Sequence, residues 1–289
     1  MKQRKSGLHS SIRSFGNLFS KYRRLPISIK FSLIVLVVIA LLAISGKLLS
    51  PYDPSEVDFS GAYGVPNLGH LLGQDEAGRD VLSRLISATR LSVLGPLLVV
   101  IVSTLVGVPL GLLTGYLGGW SDSLISRIFD VIFAFPALLL AITIVAIFGI
   151  GFITCVIAVA ITYIPLMART VRSGTLSEKG KDYVTAIKLQ GLPSRRIAMS
   201  HIFPTLLPLI VSQMGIFFSY SLLDLAALSF LGLGVQPPST DWGGMLANAG
   251  LAIFHSPFNV LPPALCLVIL VVCSNLMADF AGNQWSLKR

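Results

Sequence analysis

From Phe31 to Leu49 the chain runs through nineteen residues carrying a single charge, Lys47. As a helix rising about 1.5 Å per residue this run is about 28 Å long, close to the thickness of a bilayer's hydrocarbon core. In lipid every backbone N–H and C=O must be satisfied within the segment, so helix is the form open to it. Comparable runs follow at Leu91–Leu113, Val131–Phe148, Phe152–Met167, Leu206–Phe230 and Val260–Phe280, which makes six. With 54% hydrophobic and 12% charged residues the chain is too apolar for an ordinary soluble domain. The sequence predicts an all-α integral membrane protein with six transmembrane helices.

Ala43-Ile44-Ser45 has the small residues of a cleavage site, yet the run around it is too long for a secretory signal and reads as a retained anchor. Before it, residues 1–30 hold eight Lys or Arg and no acid. Ile12, Phe15, Leu18, Phe19, Tyr22 and Leu25 recur there at helical spacing. Both a basic helix on an anionic membrane face and a solvated basic tail fit that pattern. Charge then orients the spans. Eighteen of 22 basic residues fall in the N-terminal tail, at Arg127, between Arg169 and Arg196, or at Lys288 and Arg289. The other four, Lys47, Arg79, Arg84 and Arg90, fall where acids outnumber them. Cytoplasmic segments are the basic ones, so both termini are expected in the cytoplasm.

The expected organisation is a tail at 1–30, a first span at 31–49, an external loop with a short helix at 50–90, a five-helix core at 91–282 and a tail at 283–289. Within the core, 169–204 is a charged cytoplasmic loop. It holds nine charged residues between Arg169 and Ile202, which lipid would penalise by over about 20 kcal/mol. A helix-prone run, Val184–Gln190, is followed by Gly191 and a second basic run, Ser194–His201. A plain connector needs only a few residues, so a long patterned loop is read as functional.

That loop resembles the EAA loop of ABC-importer permeases, the part that docks into the ATPase subunit. The resemblance rests on Ala186, on Gly191 five residues on, and on His201-Ile202-Phe203-Pro204. Thr185 stands where the family usually has Glu, and Ile187 where it usually has a second Ala. The resemblance implies that Asp182, Thr185, Ala186, Lys188, Gly191, Arg195, Arg196, His201 and Pro204 form the ATPase-coupling surface. Gly191 would hinge two short helices, and Lys188, Arg195 and Arg196 would supply the ionic contact.

The first external loop contains His70-Leu71-Leu72-Gly73, Asp75 and Gly78-Arg79-Asp80-Val81-Leu82-Ser83-Arg84. It is similar to the signature of the C-type permease of dipeptide, oligopeptide and nickel importers. Gly73 and Gly78 permit turns, and Asp75 is placed to cap a helix running through Asp80 and Arg84. A third run, Ser229-Phe230-Leu231-Gly232-Leu233-Gly234-Val235-Gln236-Pro237-Pro238, with Trp242-Gly243 and Met245-Leu246, looks like the same permeases' loop between the last two spans. Its glycines and prolines break the helix, and Trp242 suits a membrane interface.

Catalytic signatures are not found. The nearest phosphate-gripping run, Gly174 to Asp182, has one residue too many and ends in Asp where a hydroxyl is needed. His9, His70, His201 and His255 are scattered, and Cys155, Cys266 and Cys273 lie in apolar runs without metal-ligand spacing. The chain is expected to be no enzyme and to bind neither metal nor cofactor. Asp224 lies within the fifth apolar run, where a carboxylate either lines a path or pairs across a helix contact. Asn275 and Asp279 read as structural. Gly107, Gly111 and Gly115, spaced by four, would let another helix approach closely, and Pro109 and Pro136 would bend or punctuate their helices.

The resemblance implies the type I importer permease architecture in a bacterial cytoplasmic membrane. It further implies a second homologous permease, two ATPase subunits that handle ATP and Mg²⁺, and an external solute-binding protein. Membrane lipid is the surrounding partner, and nucleic acid is not one. The cargo implied is a di- or oligopeptide, with nickel or a metal chelate as the alternative. From another class, a self-sufficient secondary transporter would need an internal repeat and midplane ionisable groups, and an assembly protein would carry no solute.

Overall fold

The computed structural model describes residues 26–251, 253 and 257–286. The basic helical pattern expected before Leu25 and the tail residues Lys288 and Arg289 lie outside the described residues. Ten α-helices account for most of the rest. They are α1 Ile27–Leu49, α2 Val81–Leu117, α3 Gly119–Phe133, α4 Ala137–Phe148 and α5 Phe152–Lys179, followed by α6 Asp182–Leu189, α7 Ser194–Ile197, α8 Phe203–Phe230, α9 Trp242–Leu251 and α10 Leu261–Ser286. A π-helical turn, Ala198–Ile202, joins α7 to α8.

The helices of the core close on one another where side chains are smallest. Gly107, Gly111 and Gly115 of α2 lie against Met167, Ala168 and Thr175 of α5, and a Cβ on Gly111 would stand 2.5 Å from the Ala168 carbonyl oxygen. Such contact lets two backbones approach without intervening side chains, which in lipid is where helix association gains its van der Waals energy. Around this seam pack Val99, Val108, Leu112, Val145, Val159, Met167, Val171, Ile210 and Phe217. On the other side of α8, Gly215 meets Ala278 of α10, and the hydroxyls of Ser219 and Ser274 share a hydrogen bond of 2.8 Å. Helix α1 leans on α2 and α10 and leaves Phe31, Ile34, Leu41 and Leu48 exposed, as a lipid-facing helix must.

Contacts between distant residues sort the loops onto two faces. Lys179 at the end of α5 donates to the Tyr116 carbonyl at the end of α2, 2.6 Å away, which puts α6 and α7 on the same face as the end of α2. On the opposite face Ser50, Ser83, Gln74 and Asn259 are joined by hydrogen bonds. Five of the helices are long and apolar enough to cross a membrane, six if the bent pair α3 and α4 counts as one span. Because α2 ends on one face and α5 begins on the other, α3 and α4 carry the chain across together.

Several boundaries differ from expectation. The run expected at Val131–Phe148 is not one rod: α3 and α4 meet at a bend of 86°. Pro136 sits just ahead of α4, where its ring fits, so it punctuates the helix. Helix α2 begins ten residues before Leu91, so that the helix expected through Arg84 and the apolar run from Leu91 are one continuous helix. Helix α5 runs on past Met167 to Lys179, which turns the first part of the expected loop into a helical extension. Asp75 does not cap α2. Asp80 does, its Oδ2 accepting from the Ser83 N–H at 2.8 Å. Trp242 is 1% exposed rather than interfacial. Its backbone N–H donates to Ser92 Oγ at 2.9 Å and its ring N–H to the Leu85 carbonyl at 3.2 Å, anchoring α9 on α2.

Candidate functional site

The residues expected to couple to a partner fold into two short helices at a sharp corner. Gly191 lies between α6 and α7 with φ +80°, a conformation costly for any residue with a Cβ, and no atom lies within 4 Å of where a Cβ would stand. Val184, Ile197 and Ile202 are buried and pin the two helices to the core. Asp182, Thr185, Ala186, Lys188, Gln190, Arg195 and Arg196 are exposed. Leu189 is 84% exposed at the tip. His201 lies in the π-helical turn, partly buried, its Nδ1 without a partner, and Pro204 opens α8. The loop residues are thus brought to one surface, mixed basic and apolar. His201 alone turns inward.

The corner between α5 and α6 is held by a carboxylate. Glu178 is 6% exposed, and it receives Lys181 Nζ at 2.6 Å and the Tyr183 hydroxyl at 3.0 Å. Both donors sit beyond the turn at Gly180. The run 174–182, nearest in sequence to a phosphate-binding loop, is helix through Lys179 and this corner.

Next to the corner an apolar groove of about 680 Å³ opens between α2 and α8. Thr104, Pro109 and Leu112 line one wall, Phe203, Ile210 and Met214 the other, and Arg195 of α7 also borders it. Thr104 Oγ1 has no partner there.

On the opposite face the motif residues Asp75, Gly78, Arg79, Asp80 and Arg84 form one knot. Asp75 Oδ1 accepts the N–H groups of Ala77 and Arg79 at 2.9 and 3.0 Å, while Oδ2 accepts Arg79 Nε at 2.8 Å and Arg84 Nη1. Gly78 has φ +71°, and a Cβ on it would overlap the Asp58 carbonyl oxygen at 1.7 Å. His70 Nδ1 lies 3.0 Å from Asp80 Oδ1. Asp58 receives the hydroxyl and N–H of Ser60, which hold its carboxyl below the usual carboxylate range. Beside the knot, Asp241 is buried under α9. Burial pushes its carboxyl up, against the Ser229 hydroxyl at 2.7 Å and the Gly244 N–H at 2.8 Å, which favour the charged form.

Asp224 is neither in the groove lining nor in the knot. It meets the Tyr163 hydroxyl at 2.8 Å, across the contact of α8 with α5. Cys155 and Cys273 are buried and Cys266 partly so, Cys155 donating to the Leu233 carbonyl at 3.2 Å. Sequence reading missed Asp122 and Asp130 of α3, which pair with Arg172 and Arg169 of α5. Their spacing by eight along one helix was the available signal.

The fold and sequence find counterparts among known proteins. Residues 107–284 match the family of binding-protein-dependent transport system inner membrane components, and residues 30–68 match the N-terminal transmembrane domain of oligopeptide transport permease C. The chain is 41% identical over 253 residues to the di/tripeptide transport system permease protein DppC of Pseudomonas aeruginosa, covering 86% of this chain and 84% of that protein. It is 39% identical over 260 residues to the glutathione transport system permease protein GsiD of Pectobacterium atrosepticum, covering 90% and 86%. In structure it resembles the inward-facing MetNI methionine ABC transporter, with a TM-score of 0.58 at 18% identity, over 70% of this chain and 94% of that one. With its long apolar helices and its matched length, the chain belongs to the multi-pass inner-membrane permeases of binding-protein-dependent transport systems.

Proposed function

We propose that this permease forms, with a second homologous permease, the path by which di- or oligopeptides enter the cytoplasm, driven by ATP hydrolysed in two partner subunits. The observation that carries the mechanism is the α6–Gly191–α7 corner, a basic and apolar surface pinned to the core by Val184 and Ile197. ATP and Mg²⁺ belong to the partners, which press on this corner from the cytoplasm. The α2–α8 groove forms one wall of the path, closed by the second permease, and the knot around Asp75 faces the external solute-binding protein. Peptide is favoured over nickel because the relatives at 36–41% identity are dipeptide, di/tripeptide and glutathione permeases.

Uptake of a labelled dipeptide into proteoliposomes holding the reconstituted complex tests this. Gly191→Val is expected to leave insertion intact and to separate ATP hydrolysis from uptake. Arg195→Glu with Arg196→Glu is expected to weaken co-purification with the ATPases. Uptake that needs no nucleotide and follows an ion gradient would point to a secondary transporter and sink the proposal.

A further inference from the structure

Helix α3 is tied to its neighbours chiefly by charge. Phe129 is its one buried residue among those described. Asp122 receives both arms of the Arg172 guanidinium, Nε at 2.7 Å and Nη2 at 2.6 Å. Asp130 receives Arg169 Nη2 at 2.6 Å, and the Arg169 guanidinium carbon lies 4.1 Å from the centre of the Phe133 ring. A planar two-pronged pair of this kind fixes orientation as well as distance. At both ends the chain turns sharply away from α3. Gly118 and Gly119 have φ +68° and +61°, with no atom within 4 Å of either Cβ position, and the bend to α4 is 86°. A rod set between two sharp turns and tied to a neighbour by two ion pairs follows that neighbour when it moves.

That neighbour is α5, which continues through the Glu178 corner into α6. Arg169 and Arg172 are three residues apart and so share a face of α5. We infer that these two arginines are positioning residues that make α3 follow α5, so that a displacement of the Gly191 corner reaches the bent α3–α4 crossing through two ion pairs. This rests on the ATPase-driven reading above. Exposed pairs contribute little to folding, and the arginine and aspartate side chains here are 37% and 20% exposed in one pair, 52% and 65% in the other. Their loss should therefore show in coupling before it shows in stability.

The test is dipeptide taken up per ATP hydrolysed by the full complex in proteoliposomes. Arg172→Gln and Asp122→Asn are each expected to lower that ratio about fivefold or more, the usual scale of coupling between sites. Melting temperature and subunit recovery should stay near those of the parent complex. The charge swap Asp122→Arg with Arg172→Asp is expected to restore most of the ratio. An unchanged ratio in both single variants, or a swap no better than they are, overturns the inference. Should a single variant fail to assemble, Asp122→Cys with Arg172→Cys joined by a short thiol-reactive linker gives a second measurement: the linked complex couples and the unlinked one does not. Equal ratios with and without the linker overturn the inference. ATP-independent uptake by the parent complex would instead overturn the proposed function.

Discussion

The phenol of Tyr163 donates a 2.8 Å hydrogen bond to Oδ2 of Asp224, so the carboxylate in α8 is answered by α5 within the membrane-spanning bundle. The same ring stands edge-on to Phe217, with centroids 5.0 Å apart. Tyr163→Phe keeps the ring contact and removes the donor, which should destabilise the protein by about 1–3 kcal/mol, the cost of leaving a partly buried acceptor unpaired. Asp224→Asn retains an acceptor and should cost less. A double-mutant cycle by thermal unfolding in detergent should return a coupling of at least about 0.5 kcal/mol, and additive losses would show that the pair does not interact.

Asp75 is the acceptor on which the knot ahead of α2 converges. Asp75→Ala strips the partner from Arg84, whose side chain is 6% exposed, and breaks the turn that leads into α2. Removing one member of a buried pair typically costs about 3–5 kcal/mol. A variant with an undisturbed melting temperature would show that the knot is ornamental to stability. Asp75→Ala with Arg84→Met, which removes both charges, should recover part of the loss.

Gly111→Leu should be among the most damaging single changes in the bundle. Its Cβ would meet the Ala168 carbonyl at 2.5 Å and Val171 Cβ at 2.7 Å, and a backbone carbonyl in a helix cannot turn aside. Overpacking of this kind costs about 1–3 kcal/mol or more. Gly180→Ala is the control, since its Cβ would sit 3.8 Å from its nearest neighbours. Equal melting temperatures for the two variants would contradict the close α2–α5 seam.

Asp241 carries a dependence on pH. Burial raises its folded-state pKa, so its contribution to stability is present when it is protonated and is lost as pH rises from the ordinary aspartate value, about 3.9, through the raised one. Asp241→Asn keeps an acceptor for the Gly244 N–H and removes the ionisation. The difference in melting temperature, variant minus parent, should grow as pH rises above the ordinary aspartate value, about 3.9, and level off once Asp241 is ionised in the folded protein. A difference that stays flat with pH would show that Asp241 feels no burial.

What could be read from the residues in order was what depends on near neighbours. The spacing of Gly107, Gly111 and Gly115 declared a seam because four residues return to the same helix face. Gly191 declared a corner because it separates two helix-prone runs, and the charges between Arg169 and Ile202 declared a surface outside lipid. Pairings across the fold were hidden. Asp122 and Arg172 are 50 residues apart, and Tyr163 and Asp224 are 61 apart, and nothing local in either member names the other. The helix expected through Asp80 and Arg84 and the apolar run from Leu91 were legible separately, but not that they form one continuous helix. Trp242 was placed at the lipid boundary by its amphipathic ring, but Ser92 and the Leu85 carbonyl supply inside the fold the polar contacts that water would have given.

Leu189, 84% exposed at the tip of α6, makes solitude uncomfortable for this subunit. Covering a leucine side chain is worth roughly 1.5–3 kcal/mol of hydration free energy, so any apolar partner surface that closes over Leu189 would draw a sizeable share of its affinity from this residue alone.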